Sequence, residues 1–176
     1  MTDRYDGLVI AGGRSHRMGG GDKTALTVGG RSLREVALLA LAGASQRFVV
    51  GADGDLVEDP PGGGPLAAVA AGLERVSALT VVVLAADLPF VTAEAVGLLV
   101  DQASAVAVDD DGRAQYLLAA YRTGDLRAVM PADPAGKSLR SVVDRLGPTM
   151  VKLAGTPPPW WDCDTPDDLD QARMWT

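Results

Sequence analysis

The run Leu79 to Ala86, L-T-V-V-V-L-A-A, restricts the possible folds of this chain more than any other stretch. Its β-branched core has no polar alternation, so as a strand it would be apolar on both faces and would need cover on both. Such a strand belongs in the centre of a sheet layered by helices. It ends at Asp87-Leu88-Pro89, where a carboxylate and a proline close the apolar run.

Weaker strand and helix signals alternate on either side of it. Gly7 to Ala11 predicts a short buried strand, and Arg47 to Val50 a second one. Between them, Ser32 with Glu35 three residues on predicts a capping box opening a helix toward Gly43. The Gly- and Pro-rich stretch Asp53 to Gly64 reads as a loop. Pro65 then suits the first position of an apolar helix, Leu66 to Val76. Thr92 predicts a cap for a helix reaching about Gln102. Ala105 to Val108 and Arg113 to Tyr121 flank a turn at Asp109 to Gly112 and predict a hairpin. Helices are expected at Gly124 to Met130 and Ser138 to Leu146, and a strand near Met150 to Leu153. Thr165-Pro166-Asp167-Asp168 supplies cap, proline and first-turn acids for a last helix to about Trp175. The tryptophans nearby are expected to dock that helix on the sheet, and Cys163 to be a small buried residue. Alternation of this kind predicts a three-layer α/β/α sandwich with a mostly parallel sheet, residues 1–176 forming a single domain.

Where the first strand stops, a glycine-rich loop carries Arg14, His16, Arg17 and Lys23. Glycines let backbone N–H groups approach an anion, and the cations add charge, so the composition is that of a phosphate cradle. It is not a P-loop, because Asp22 separates Gly21 from Lys23, and it lacks the G-x-G-x-x-G spacing of dinucleotide folds. Composition narrows the ligands further. The net charge of −7 repels nucleic acid and anionic membranes, so a polyphosphate would need these local cations or a bridging metal. One cysteine excludes an internal disulfide, and a single histidine argues against a Cys/His zinc site. With no apolar run of membrane-spanning length, a cytoplasmic location without membrane attachment is expected.

The order Gly12-Gly13, Arg17-Met18-Gly19-Gly20, Asp22-Lys23 resembles the nucleotide loop of sugar-nucleotide pyrophosphorylase-type nucleotidyltransferases. Within these it is most similar to the molybdenum cofactor guanylyltransferases of the MobA kind. Three further motifs follow in the family's order: Glu58-Asp59 with Gly62 to Ala68, Ala85-Ala86-Asp87-Leu88-Pro89-Phe90, and Asp162 to Leu169. The chain departs from the pattern at Ala68, where a glycine is usual, and at Gly51, where an asparagine tends to contact the nucleotide. It departs again at Asp162 and Asp164, which replace two asparagines, and in Arg113 to Tyr116, which lacks a common proline.

The resemblance implies a Rossmann-like fold and transfer of GMP from GTP to molybdenum-bearing molybdopterin, with release of pyrophosphate. It implies Mg²⁺ held by Asp87, with Asp164 as a further metal residue and Asp162 as an alternative. Ile10, Ala11, Gly12, Gly13, Lys23, Asp59 and Asp87 would bind the nucleotide, and Arg17, Lys23 and Asp87 would act in catalysis. Each residue also has a plainer explanation: a turn cap for Asp87, an ordered proline loop for Asp59, an acidic helix start for Asp162 and Asp164. Lys137 and Arg140 fall where the family receives the pterin phosphate, although a solvated helix face accounts for them nearly as well. Other substrates on the same fold remain open, namely a cytidylyl, sugar-phosphate or phospholactate nucleotidyltransferase. So does a non-catalytic nucleotide-binding adaptor that delivers cofactor to molybdoenzymes or works with cofactor-biosynthesis proteins.

Overall fold

The computed structural model describes residues 5–11, 26–102 and 104–176. Its centre is a six-stranded sheet built from β1 (Tyr5–Ile10), β4 (Arg47–Val50), β5 (Thr80–Ala85), β6 (Ala105–Val108), β7 (Ala114–Arg122) and β8 (Thr149–Lys152). The spatial order is β4-β1-β5-β7-β6-β8. Only β7 runs antiparallel to its neighbours, β5 and β6; the β1–β4, β1–β5 and β6–β8 pairs are parallel. The expected hairpin is therefore present, but β7 also inserts between β6 and the central strand. A separate ribbon pairs β2 (Thr27–Val28) with β3 (Arg31–Ser32).

Val81, Val82, Val83 and Leu84 are each fully buried, as a strand without a polar face requires. Successive side chains enter opposite cores. Val82 and Leu84 join Val9, Leu118 and Ala120 under α1 (Leu33–Ala40) and α3 (Ala93–Val100). Val81 and Val83 join Leu8, Ala119 and Tyr121 under α2 (Pro65–Leu73), α4 (Thr123–Val129) and α5 (Leu139–Val143). Burial of each large apolar side chain is worth about 1.5–3 kcal/mol, so β5 anchors both layers. On the α2 side the helix lies close to the sheet: a Cβ on Gly72 would come within 2.6 Å of a Leu8 methyl.

Local signals fix most helix starts. Ser32 and Glu35 form the capping box at α1, with the Ser32 hydroxyl accepting from the Glu35 N–H at 3.2 Å. Thr165 and Asp168 form another at α6 (Pro166–Met174). Gly64 precedes α2 at φ 92°, a conformation that favours glycine, and Pro65 takes the first helical position. The helix expected over Ser138 to Leu146 divides into α5 and one 3₁₀ turn, Asp144–Leu146, stopped by Gly147 in the left-handed region. The last helix also differs from expectation. Leu169 and Ala172 of α6 pack with Val28, Leu33, Cys163 and Trp161 in a third small core, so α6 covers the β2–β3 ribbon and not the sheet. Trp175 meets Trp161 edge-on at 4.8 Å between ring centroids and Phe90 at 5.7 Å. Among the described residues, no helix is long and apolar enough to cross a membrane.

Candidate active site

Strands β4, β1 and β5 finish in register. Ile10 pairs with Val50 on one side and Ala85 on the other. The Ala86 N–H donates to the Ile10 carbonyl at 3.0 Å, and the Ala11 N–H donates to the Val50 carbonyl at 2.8 Å. Beyond this shared end lies the position where open α/β sheets hold ligands. Because β7 runs the other way, its first residues reach the same end and add a wall.

Asp87, half-buried, stands two residues past β5. Its backbone carbonyl accepts the Cys163 N–H at 3.0 Å, which ties the segment before α6 to the end of β5. A cleft of about 470 Å³ opens here, with Asp87, Asp162, Tyr116, Lys137 and Arg140 in its wall and Pro65 at its edge. Carboxylates and cations thus meet in one space, drawn from the β5 end, β7, α5 and the C-terminal segment. The volume lies in the range of small-molecule pockets.

The sequence-predicted residues divide between several places. Asp87 and Asp162 share the cleft with Lys137 and Arg140. Asp164 is exposed next to the Cys163 anchor, and its N–H donates to Asp168 at 3.1 Å. Ile10 is buried and Ala11 half-buried at the β1 end. Asp59 is exposed and lines another cleft, on the far side of α2, with Val57, Glu74, Arg127 and Met130. Gly12, Gly13, Arg14, His16, Arg17 and Lys23 lie outside the described residues.

Tyr116 and Asp144 were given no role by sequence, and Glu58 was named only as part of a motif. Tyr116 donates its hydroxyl to Asp144 Oδ1 at 2.8 Å, and Arg140 Nε donates to Asp144 Oδ2 at 3.3 Å. Burial, and then the bond to Asp144, hold the Tyr116 phenol above its usual range, so it remains a donor at neutral pH. The i,i+4 spacing of Arg140 and Asp144 was a usable signal for the second contact. Glu58 is buried and accepts the Gly62 N–H at 3.0 Å, which orders the glycine turn before α2. Its other carboxylate oxygen is buried and has no hydrogen-bond partner among the described residues.

Comparison with known proteins gives this geometry a family. The profile described as the MobA-like NTP transferase domain matches residues 7–150. The chain belongs to the MobA-like NTP transferase family. It is similar to a Rhodopseudomonas palustris protein named molybdenum cofactor guanylyltransferase, at 33% identity over 192 residues, covering 94% of this chain and 89% of that one. Among solved structures it resembles molybdopterin-guanine dinucleotide biosynthesis protein A from Archaeoglobus fulgidus, with a TM-score of 0.72 at 21% identity, covering 96% and 97% of the two chains. The 2-C-methyl-D-erythritol 4-phosphate cytidylyltransferase of Thermus thermophilus also shares the fold, with a TM-score of 0.66 at 23% identity over 95% and 96% of the chains. Both structural likenesses fall at identities that speak for the fold alone.

Proposed function

We propose that this protein is a guanylyltransferase of molybdenum cofactor synthesis, with residues 1–176 forming one catalytic domain. It transfers GMP from GTP to molybdenum-bearing molybdopterin. The observation that supports this most is the Asp87 cleft, where two carboxylates and two cations line one space at the carboxyl end of the sheet. The naming of the similar Rhodopseudomonas palustris protein supports the choice of acceptor and nucleotide.

In the proposed reaction an oxygen of the acceptor phosphate attacks the α-phosphorus of GTP. One P–O bond forms as the bond to the β-phosphate oxygen breaks, and pyrophosphate leaves with its charge. Such transfer depends on alignment and neutralisation of charge more than on covalent participation by the protein. Arg17 and Lys23 neutralise the triphosphate and the leaving pyrophosphate. Lys137 and Arg140 receive the acceptor phosphate across the cleft. Gly12 and Gly13 carry the phosphates past the β1 end. The Ala11 N–H is already committed to Val50, so a base contact at Ala11 runs through its carbonyl or methyl.

Mg²⁺ fits the donor set. Among the described residues no cluster of three or more His, Cys, Asp or Glu side chains could hold a metal. Mg²⁺ needs no such cage, since one or two carboxylates complete its shell together with water and substrate phosphates. Asp87 and Asp162 in the cleft, with Asp164 beside them in sequence, are the hard ligands for it. When bound it would supply positive charge that offsets the charge of the phosphates.

The test is release of pyrophosphate with Mg²⁺ from GTP, CTP, ATP and UTP, each against molybdate-loaded molybdopterin and against sugar phosphates. Transfer from GTP to molybdopterin is the expected result. Preference for CTP overturns the nucleotide assignment, and the absence of pyrophosphate release with every acceptor tried overturns the enzyme assignment in favour of a carrier.

A further inference from the structure

Among the described residues, several basic side chains of this acidic protein are engaged. Arg34 and Arg47 donate to backbone carbonyls, Arg127 donates to the Leu73 and Val76 carbonyls, and Lys152 pairs with Asp110. Two more line the cleft, Lys137 and Arg140. Arg140 Nε is held by Asp144 at 3.3 Å, and its guanidinium also lies against the Tyr116 phenol.

The Asp144 tether leads back to the core. The fully buried Tyr121 donates its hydroxyl to the Tyr116 carbonyl at 2.9 Å, Tyr116 donates to one oxygen of Asp144, and the other oxygen receives Arg140. The chain fixes a carboxylate at a rim that otherwise carries two positive charges. Removing that carboxylate would leave the rim more attractive to any anion, including the triphosphate of the nucleotide donor and the pyrophosphate product. A seat meant for one terminal phosphate gains selectivity if an anchored negative charge repels the longer anions more strongly.

We propose that Asp144, anchored by Tyr116, is a positioning and specificity residue of the acceptor rim: it orients Arg140 and offsets its charge so that a phosphomonoester is preferred to a polyphosphate. Resting on the transferase reading, this assigns the Lys137–Arg140 side of the cleft to an acceptor with a single phosphate. Asp144 and Arg140 are both substantially exposed, so the effect is screened and amounts to a few-fold change.

The experiment is titration of the full-length protein with inorganic phosphate and with pyrophosphate, followed on the Arg140 Nε–H resonance by NMR at mildly acidic pH. The resonance is assigned by its loss in Arg140→Ala and separates this seat from the nucleotide loop. In Asp144→Asn, pyrophosphate affinity should rise about three- to fivefold with a smaller change for phosphate. Tyr116→Phe keeps every charge, so phosphate and pyrophosphate should weaken together by about twofold as Arg140 loses its fixed partner. Pyrophosphate should become an inhibitor competitive with the acceptor in Asp144→Asn but not in Arg140→Ala/Asp144→Asn. An unchanged phosphate-to-pyrophosphate ratio in Asp144→Asn, or no response of the Arg140 resonance in the wild type, overturns the proposal. If no acceptor takes GMP while the titrations behave as described, the transferase reading fails and the selectivity of the rim stands.

Discussion

Asp6 and Asp87 belong to the two ends of neighbouring parallel strands, and the same side chain has a different setting at each. Asp6 lies inside β1, fully buried. One oxygen accepts the Gln46 N–H at 3.1 Å, and the other accepts the N–H groups of Ser77 and Ala78 at 2.8 and 3.0 Å. Its charge is satisfied by backbone, and it joins the starts of β4 and β5 to β1. Asp87 stands at the other end, half-buried, in a cleft shared with Lys137 and Arg140. A carboxylate enclosed by three amides is a structural anchor, whereas one in the wall of a cleft that also carries cations is the one proposed for chemistry. Residue type cannot separate such settings; burial and place in the fold do.

Mutation of the anchor should give the largest effect. Asp6→Ala removes a fully buried carboxylate and the acceptor of three part-buried N–H groups, so denaturant unfolding should show a loss of about 3 kcal/mol. That is a large part of an ordinary domain's stability. Asp87→Asn should do the reverse: a nearly unchanged unfolding midpoint, with Mg²⁺ affinity and turnover falling together, turnover by about a hundredfold or more. If Asp87→Asn unfolds the protein as readily as Asp6→Ala does, the contrast collapses and Asp87 is a second anchor.

Lys23→Ala sharpens the comparison from the phosphate side. Loss of a donor that strengthens as charge builds on the leaving pyrophosphate should lower turnover by about a hundredfold, with stability unaffected. Single-turnover measurements with saturating GTP read the chemical step directly, and wild-type turnover in the variant would remove Lys23 from the reaction.

Much of this architecture is legible from local chemistry. The capping boxes at Ser32 and Thr165, Pro65 at the first position of α2 and the run ending at Ala85 are each fixed by a few adjacent residues. Non-local features are not legible in this way. The pairing of β7 with β5 joins Leu118 to Leu84 across a helix and another strand, and no local signal records it. Asp6 was hidden because its donors, Gln46, Ser77 and Ala78, come from distant turns. The same holds at the site: Asp87 is marked by the strand it follows, but Tyr116 and Asp144 acquire meaning only when β7 and the end of α5 meet. The docking of α6 on the β2–β3 ribbon belongs to the same class, since the tryptophans signal packing without naming the surface.

Asp59 provides the finest test, because it lies outside the contrast drawn by Asp6 and Asp87. It is neither enclosed by donors nor in the Asp87 cleft, but exposed on the far side of α2. Guanine presents N1–H and N2–H₂ donors side by side, which a carboxylate can accept together, whereas cytosine presents one donor group beside acceptors. If Asp59 reads the base, GTP should bind at least about tenfold more tightly than CTP, roughly 1.4 kcal/mol. Asp59→Ala should then narrow that gap, because a site that leaves polar groups unpaired loses its discrimination. The neighbouring Glu58 supplies the control. Its carboxylate is buried and bound to the Gly62 N–H, so Glu58→Gln should disturb the turn before α2 and lower stability more than base preference. Calorimetric titration of both nucleotides with Mg²⁺ separates the two. A GTP preference that survives Asp59→Ala and falls in Glu58→Gln would move base recognition from the exposed carboxylate to the buried one.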